Sequence, residues 1–290
     1  MPMKVLKKVP FTMLRLLSSW AVSTGSFVTF AASSPPDHHG IELYGSMTQG
    51  SLIRGKVTPD STITLNQQKI LVTDEGFFAF GFGRNASKKH TLLIHYPDGV
   101  QKKKSLKISE RTYITQKIEG ISKKITHPST KDVERAKKDS KMIGTARKKV
   151  TPITAFMDEF QWPAVGPISG VYGSQRFYNG VPSRPHYGVD VANPTGSPVV
   201  APASGLITLA VADMFYSGGT IILDHGYGVT STFLHLSKLN VKVGQEVKTG
   251  EKIGEIGATG RATGAHLDWR INWFNEKLDP QLIVDPMPSK

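Results

Sequence analysis

The chain has no cysteine among its 290 residues. That excludes disulfides, thiolate metal ligands, a thiol nucleophile and a lipidated amino-terminal cysteine. Export does not require disulfides, so the absence leaves the compartment open. Acidic residues are also scarce, 23 Asp and Glu against 36 Lys and Arg, for a formal net charge of +13. Beyond the first 32 residues no stretch approaches the roughly 18 apolar residues of a membrane-spanning helix. Aromatic side chains are not interleaved with the basic ones, which argues against nucleic acid as a partner.

The first 15 residues carry Lys4, Lys7, Lys8 and Arg15 and no acid, and an apolar, small-residue stretch follows as far as Ala32. This is the pattern of a signal peptide over residues 1–32, with cleavage near Ala31 or Ala32. The expectation is export to the periplasm or cell envelope, with an uncleaved anchor as the alternative. Residues 33–40 read as a spacer. Residues 41–110 alternate short β-prone runs, such as Thr62-Ile63-Thr64-Leu65 and Thr91-Leu92-Leu93-Ile94, with turn signals such as Pro97-Asp98-Gly99. Regular short strands predict a small β-sandwich. His90 and His95 lie there without an acidic partner at ligand spacing and read as surface residues.

The positive charge is concentrated. Residues 101–150 hold 16 Lys and Arg against 5 acids. Residues 111–160 read as a basic, partly helical linker, with Ser129 or Thr130 capping a helix through Val133, Ala136, Met142 and Ile143. A solvated connector explains such a segment. So does attraction to anionic envelope polymers or lipid headgroups through residues 101–150.

Three histidines and two aspartates then fall in short segments bounded by Gly and Pro. From His186 to Ala192 the pattern alternates with a strand period, which places His186 and Asp190 on one face. His266 and Asp268 are two apart, with Leu267 and Trp269 opposite. His235 ends the apolar run after a turn at His225-Gly226-Tyr227-Gly228. Each pair can aim at one point, and divalent metals need such N and O donors gathered from separated segments. Taken singly, either pair is equally well read as polar residues on half-buried strands.

Residues 162–280 resemble the lysostaphin-like zinc metallopeptidases of the bacterial cell wall, the M23 or LytM-type family. The resemblance rests on His186-x-x-x-Asp190, on Phe233-Leu234-His235-Leu236, on His266-x-Asp268, and on the connecting Gly188-Val189-Asp190-Val191-Ala192, Asp224-His225-Gly226 and Gly257-Ala258-Thr259-Gly260. It implies a mostly β protein: the small sandwich, immunoglobulin-like by the same resemblance, followed over residues 161–285 by an antiparallel β peptidase domain. It also implies Zn²⁺ as cofactor, held by His186 and Asp190. His235 and His266 would act as catalytic histidines, serving as general base and stabilising the oxyanion. Peptidoglycan stem peptides would be the substrate. His225 would belong to the scaffold.

The third ligand in the family is the second His of His-x-His, and here it is Asp268. A carboxylate can bind zinc, so a His186, Asp190, Asp268 site is expected. Two carboxylates cancel the metal's charge, which predicts a less acidic bound water. If Asp268 is not a ligand, His225 is the next candidate. The alternative function is a degenerate relative that binds peptidoglycan or activates another wall hydrolase. Residues 241–254 also resemble the β pattern of biotinyl and lipoyl carriers, but the following turn, 257–264, has no Lys to modify.

Overall fold

A computed structural model describes residues 39–120 and 129–288. The expected signal segment and most of the spacer lie outside the described residues. Seven strands come first: β1 (Ile41–Tyr44), β2 (Leu52–Val57), β3 (Thr62–Leu65), β4 (Gln68–Ile70), β5 (Phe77–Gly81), β6 (Lys89–His95) and β7 (Gln101–Lys107). They form a three-stranded sheet, β1-β2-β5, and a four-stranded sheet, β4-β3-β6-β7. The period-2 pattern explains them: along β6, His90, Leu92 and Ile94 turn inward while the residues between are half-buried or exposed. Ile53, Phe78, Phe80, Leu92 and Ile94 are fully buried in the core. His90 is buried, not a surface residue. Its ring bonds Asn66 and the Ser87 carbonyl and packs on Phe82, so local polar partners offset its burial.

The segment expected to be a connector is built into the fold. Strand β8 (Thr115–Ile118) pairs with a strand of the second half. Helix α1 (Thr130–Arg147) is capped by the Ser129 hydroxyl, which accepts from the Asp132 N–H. The described residues, 39–120 and 129–288, belong to one compact unit. Arg111 bonds the buried Asp279 carboxylate at 2.7 Å, Arg84 donates to the Gly173 carbonyl at 2.7 Å, and Leu278 packs over Gly81.

The second half comprises β9 (Ile168–Gly170), β10 (Gln175–Tyr178), β11 (Val181–Pro182), β12 (Val189–Ala192), β13 (Pro198–Val200), β14 (Gly205–Met214), β15 (Gly218–Gly226), β16 (Val229–Leu236), β17 (Lys238–Leu239), β18 (Glu246–Val247), β19 (Lys252–Glu255), β20 (His266–Trp273) and β21 (Glu276–Leu278). Its main sheet runs β18-β14-β15-β16-β20-β12-β9, with β21 against β20. Strands β15 and β16 are buried on both faces. They turn back at Tyr227, where Gly226, Tyr227 and Gly228 all have positive φ (93°, 51° and 84°). Helix α1 packs on β14 and β15. Strand β10 pairs with β11 and, in parallel, with β8.

Strand β20 sorts its residues by parity. Leu267, Trp269, Ile271 and Trp273 fill the core, while His266, Asp268, Arg270 and Asn272 share the other face. His225 lies on β15 and is fully buried. Its Nδ1–H donates to the Ser204 carbonyl at 2.7 Å, its Nε2 accepts from the Ser231 hydroxyl at 2.7 Å, and Phe160 packs edge-on. Both ring nitrogens are used by the scaffold.

Burial pushes the His225 pKa down to about 4. The unfolded chain takes up this proton near pH 6.5, while the folded ring stays neutral until about pH 4. Stability from this group is therefore lost as pH falls through that window, by roughly 3 kcal/mol in all. A His225→Gln variant is expected to be less stable at pH 7 but to show a shallower decline in Tm between pH 6.5 and 4. Parallel slopes for the two proteins would count against the assignment.

Candidate metal and catalytic centre

Five side chains singled out in the sequence meet at the junction of β12, β16 and β20. Asp190 and Asp268 are direct cross-strand partners in the β12–β20 ladder. His186 lies just before β12, outside the strand predicted for it. Its N–H donates to the Ser174 carbonyl and its own carbonyl accepts from Gly173 N–H, so a turn of the β9–β10 connection places the ring instead. The ring still meets Asp190, with Nε2 3.0 Å from Oδ1. His186 Nδ1 is 4.0 Å from Asp268 Oδ2. One donor atom from each of the three residues falls within a 4.8 Å cluster. All three residues are buried.

Two buried carboxylates facing each other repel and are costly to desolvate. The structure places a guanidinium on each. Arg176 of β10 pairs with Asp190 Oδ2. Arg270 grips Asp268 with both arms, Nε to Oδ1 at 2.9 Å and Nη2 to Oδ2 at 2.6 Å. Burial pushes both carboxyls up. For Asp268 it is outweighed by Arg270 and His186, and for Asp190 by His186 and Arg176, so both are held below the usual range and ionised. The expected loss of positive charge at the site is thus reversed: the two arginines offset the two carboxylates before any metal is counted.

The residues fit a divalent cation. His186 Nε2 and Asp190 Oδ1 are buried and lie 3.0 Å apart, in ion-pair contact with each other, and neither completes a hydrogen bond with any other group, so the two atoms suit a shared cation. Arg270 occupies one lone-pair direction on each Asp268 oxygen, and an ionised carboxylate has about four. Two glycines make room: a Cβ on Gly188 would collide with Asp268 Oδ1 and the Trp269 carbonyl, and one on Gly170 with Asp190 Oδ2. A set of one imidazole and two carboxylates suits a metal of zinc's type.

Two further imidazoles flank the cluster, their ring centroids 4.8 Å apart. His235 closes β16 with φ of +65°, a conformation rare for a side-chain-bearing residue and concentrated at functional positions. Its N–H donates to the Ser217 carbonyl and its Nδ1–H to the Thr259 carbonyl, both at 2.8 Å, which leaves Nε2 with the lone pair. Burial pushes its pKa down to about 4, so the ring is neutral at neutral pH. His266 donates Nδ1–H to the Gly264 carbonyl at 2.9 Å, and its Nε2 is 3.9 Å from Asp190 Oδ1. A cavity of about 510 Å³ opens beside His186, His235 and Asp268.

The sequence reading missed Arg176, Arg270 and Thr259. Arg270 was within reach, since it follows Asp268 by two residues and so shares its face. Arg176 joins the site only through the pairing of β12 with β9 and the β9–β10 turn, which no local pattern announces.

Residues 184–280 match the family model for Peptidase family M23. The peptidoglycan DD-endopeptidase ShyA of Vibrio cholerae is 40% identical over 105 residues, 36% of this chain and 24% of that protein. The DD-carboxypeptidase/endopeptidase Mpg of Neisseria meningitidis is 37% identical over 106 residues, 37% of this chain and 24% of that one. The matched region thus spans about a quarter of these relatives' length. The crystal structure of a candidate peptidase M23 from Pseudomonas aeruginosa aligns with a TM-score of 0.64 at 26% identity, covering 82% of this chain and 95% of that one. That likeness extends well beyond the matched domain.

Truncating Asp268 to Ala leaves Arg270 without its partner and is expected to cost about 3 kcal/mol in urea denaturation. Asp268→His, which restores the family's usual residue, strands Arg270 as well and should lose a similar amount. The double variant Asp268→Ala/Arg270→Ala should lose less than the sum of the two single changes. Strict additivity would mean that the pair is not coupled. Gly188→Ala should preserve the fold by circular dichroism yet weaken metal uptake at least tenfold, because the new methyl displaces the Asp268 carboxylate.

Proposed function

We propose that this chain, whose residues 184–280 form a Peptidase family M23 domain, is a zinc metalloendopeptidase that cuts peptide cross-links of bacterial peptidoglycan. One observation carries the reading: two buried ligand atoms, His186 Nε2 and Asp190 Oδ1, 3.0 Å apart and with no hydrogen-bond partner beyond each other, with two histidines beside them. The DD-endopeptidase and carboxypeptidase names of the relatives support the substrate class.

His186, Asp190 and Asp268 would hold the zinc. When bound, the ion supplies a Lewis acid that polarises the scissile carbonyl and acidifies a water. The remaining work falls to the protein. His235 is fixed by Thr259 and Ser217, with Nε2 free to take a proton from the attacking water, and it returns that proton to the departing amine. His266, anchored at Gly264, turns Nε2 toward the centre, where a proton on it would stabilise the oxyanion. Arg176 and Arg270 keep both carboxylates ionised and aligned, and their positive charge favours a developing anion nearby. The low solvent exposure of the cluster strengthens each of these interactions.

A specific observation favours a second reading. The Asp268–Arg270 pair satisfies the third-ligand carboxylate without a metal, as a domain that binds peptidoglycan without cutting it would require. We further propose export to the cell envelope, on the basic and apolar amino-terminal segment.

Zinc titration of metal-stripped full-length protein, followed by peptidoglycan digestion, separates the two. One equivalent of bound zinc and cleavage that disappears with chelator are expected. His235→Ala should keep the metal and lose at least 100-fold in kcat. Protein that takes up no zinc and cuts nothing, yet cosediments with the peptidoglycan, would overturn the enzyme reading in favour of the binding one.

A further inference from the structure

The cavity beside the centre carries an uneven set of charges. Five cationic side chains line it: Arg176, Arg184, Arg261, Arg270 and Lys277. Arg176 and Arg270 are neutralised by Asp190 and Asp268. Among the described residues Arg184, Arg261 and Lys277 form no ion pair. The one other acid lining the cavity, Asp139 of α1, accepts the Phe215 N–H at 2.7 Å. Three cations therefore face one acid.

Arg261 is the most constrained of the three. Its guanidinium lies over the ring of Tyr178 at 4.8 Å and that of Tyr216 at 4.9 Å. Stacking of this kind holds the planar fork in place and leaves its N–H edge free. No hydrogen bond from that edge is made to any described residue. Its backbone N–H donates to the Tyr216 carbonyl at 2.8 Å, and the preceding Gly260 has φ of +69° and sits against residues 216–218 too closely for any Cβ. The same two strips of chain hold His235, through the Ser217 and Thr259 carbonyls. The fork is thus in fixed relation to the imidazole at the reaction centre.

A planar, half-buried, pre-oriented guanidinium with an unused edge matches a carboxylate held by two parallel hydrogen bonds. We propose that Arg261 is a carboxylate receptor and that the peptide bound here is acidic, with a free carboxylate close to the bond that is cut. Arg184 and Lys277 add attraction at longer range. This deepens the peptidase reading and rests on it for the bond cleaved, but not for the binding.

The test is calorimetric binding of two synthetic cross-linked stem peptides to metal-stripped full-length protein. One has its carboxylates free and the other has them amidated. The free form should bind at least tenfold more tightly. Arg261→Gln should abolish the difference while the protein stays folded, with a fall in Tm of no more than a few degrees from the lost stacking, and Arg261→Lys, which keeps the charge and loses the fork, should retain only part of it. Equal affinities, a preference that survives Arg261→Gln, or no binding of either peptide would overturn the proposal. Hydrolysis of the same peptides by the zinc-loaded protein reports separately on the enzyme reading. Selective binding without cleavage would sink that reading alone, and equal cleavage and binding of both peptides would sink this one alone.

Discussion

Two aspartates stand opposite each other in a buried β ladder, and most of the local structure answers to that fact. Asp190 and Asp268 are in direct register. In a low-dielectric setting their mutual repulsion alone would amount to several kcal/mol. The fold meets it with cations from two directions: Arg270 from the same strand as Asp268, and Arg176 from a strand reached through the β9–β10 turn. The empty faces of Gly170 and Gly188 let those groups close in. What remains is a small pair of atoms, His186 Nε2 and Asp190 Oδ1, that meet only each other, and it is there that the proposed cation would sit.

The site also shows how strain and order are divided. The core-facing half of β20, from Leu267 to Trp273, is ordinary apolar packing that fixes the strand. The opposite half carries His266, Asp268 and Arg270. His235 sits at positive φ where β16 ends, a cost that hydrogen bonds to both its backbone and its ring offset. The loop through Thr259 and Arg261 thereby links imidazole orientation to the lining of the cavity.

Much of this was legible from the chain. The His-x-Asp spacing put His266 and Asp268 on one face because strand parity is a local property, and the turn at Tyr227 was signalled by its glycines. The capping of α1 at Ser129 followed from residue type. Other features were not local. His186 reaches the cluster from a turn, not a strand. His90 is buried among polar partners that its own alternation does not announce: Asn66, on the neighbouring hairpin, and the Ser87 carbonyl just before its strand. The charge balance was misjudged because Arg176 arrives through tertiary pairing, and a sum over the ligand residues omits it. Residues 111–160 looked like a connector because high charge is usually solvated; β8 and α1 nonetheless find partners in β10, β14 and β15.

The pairing of β8 with β10 bears on where this protein can be cut. The family-matched region begins at residue 184, yet Arg176, eight residues earlier, supplies the counter-charge of Asp190. The strand bearing Arg176 is itself braced by residues 115–118, and Arg111 just before them is tied to Asp279 near the other end. A fragment trimmed to the recognisable motif would contain every candidate ligand and both flanking histidines, but it would leave one buried carboxylate without its guanidinium. The structural boundary of the centre therefore lies at or before residue 111, some seventy residues upstream of the family-matched region.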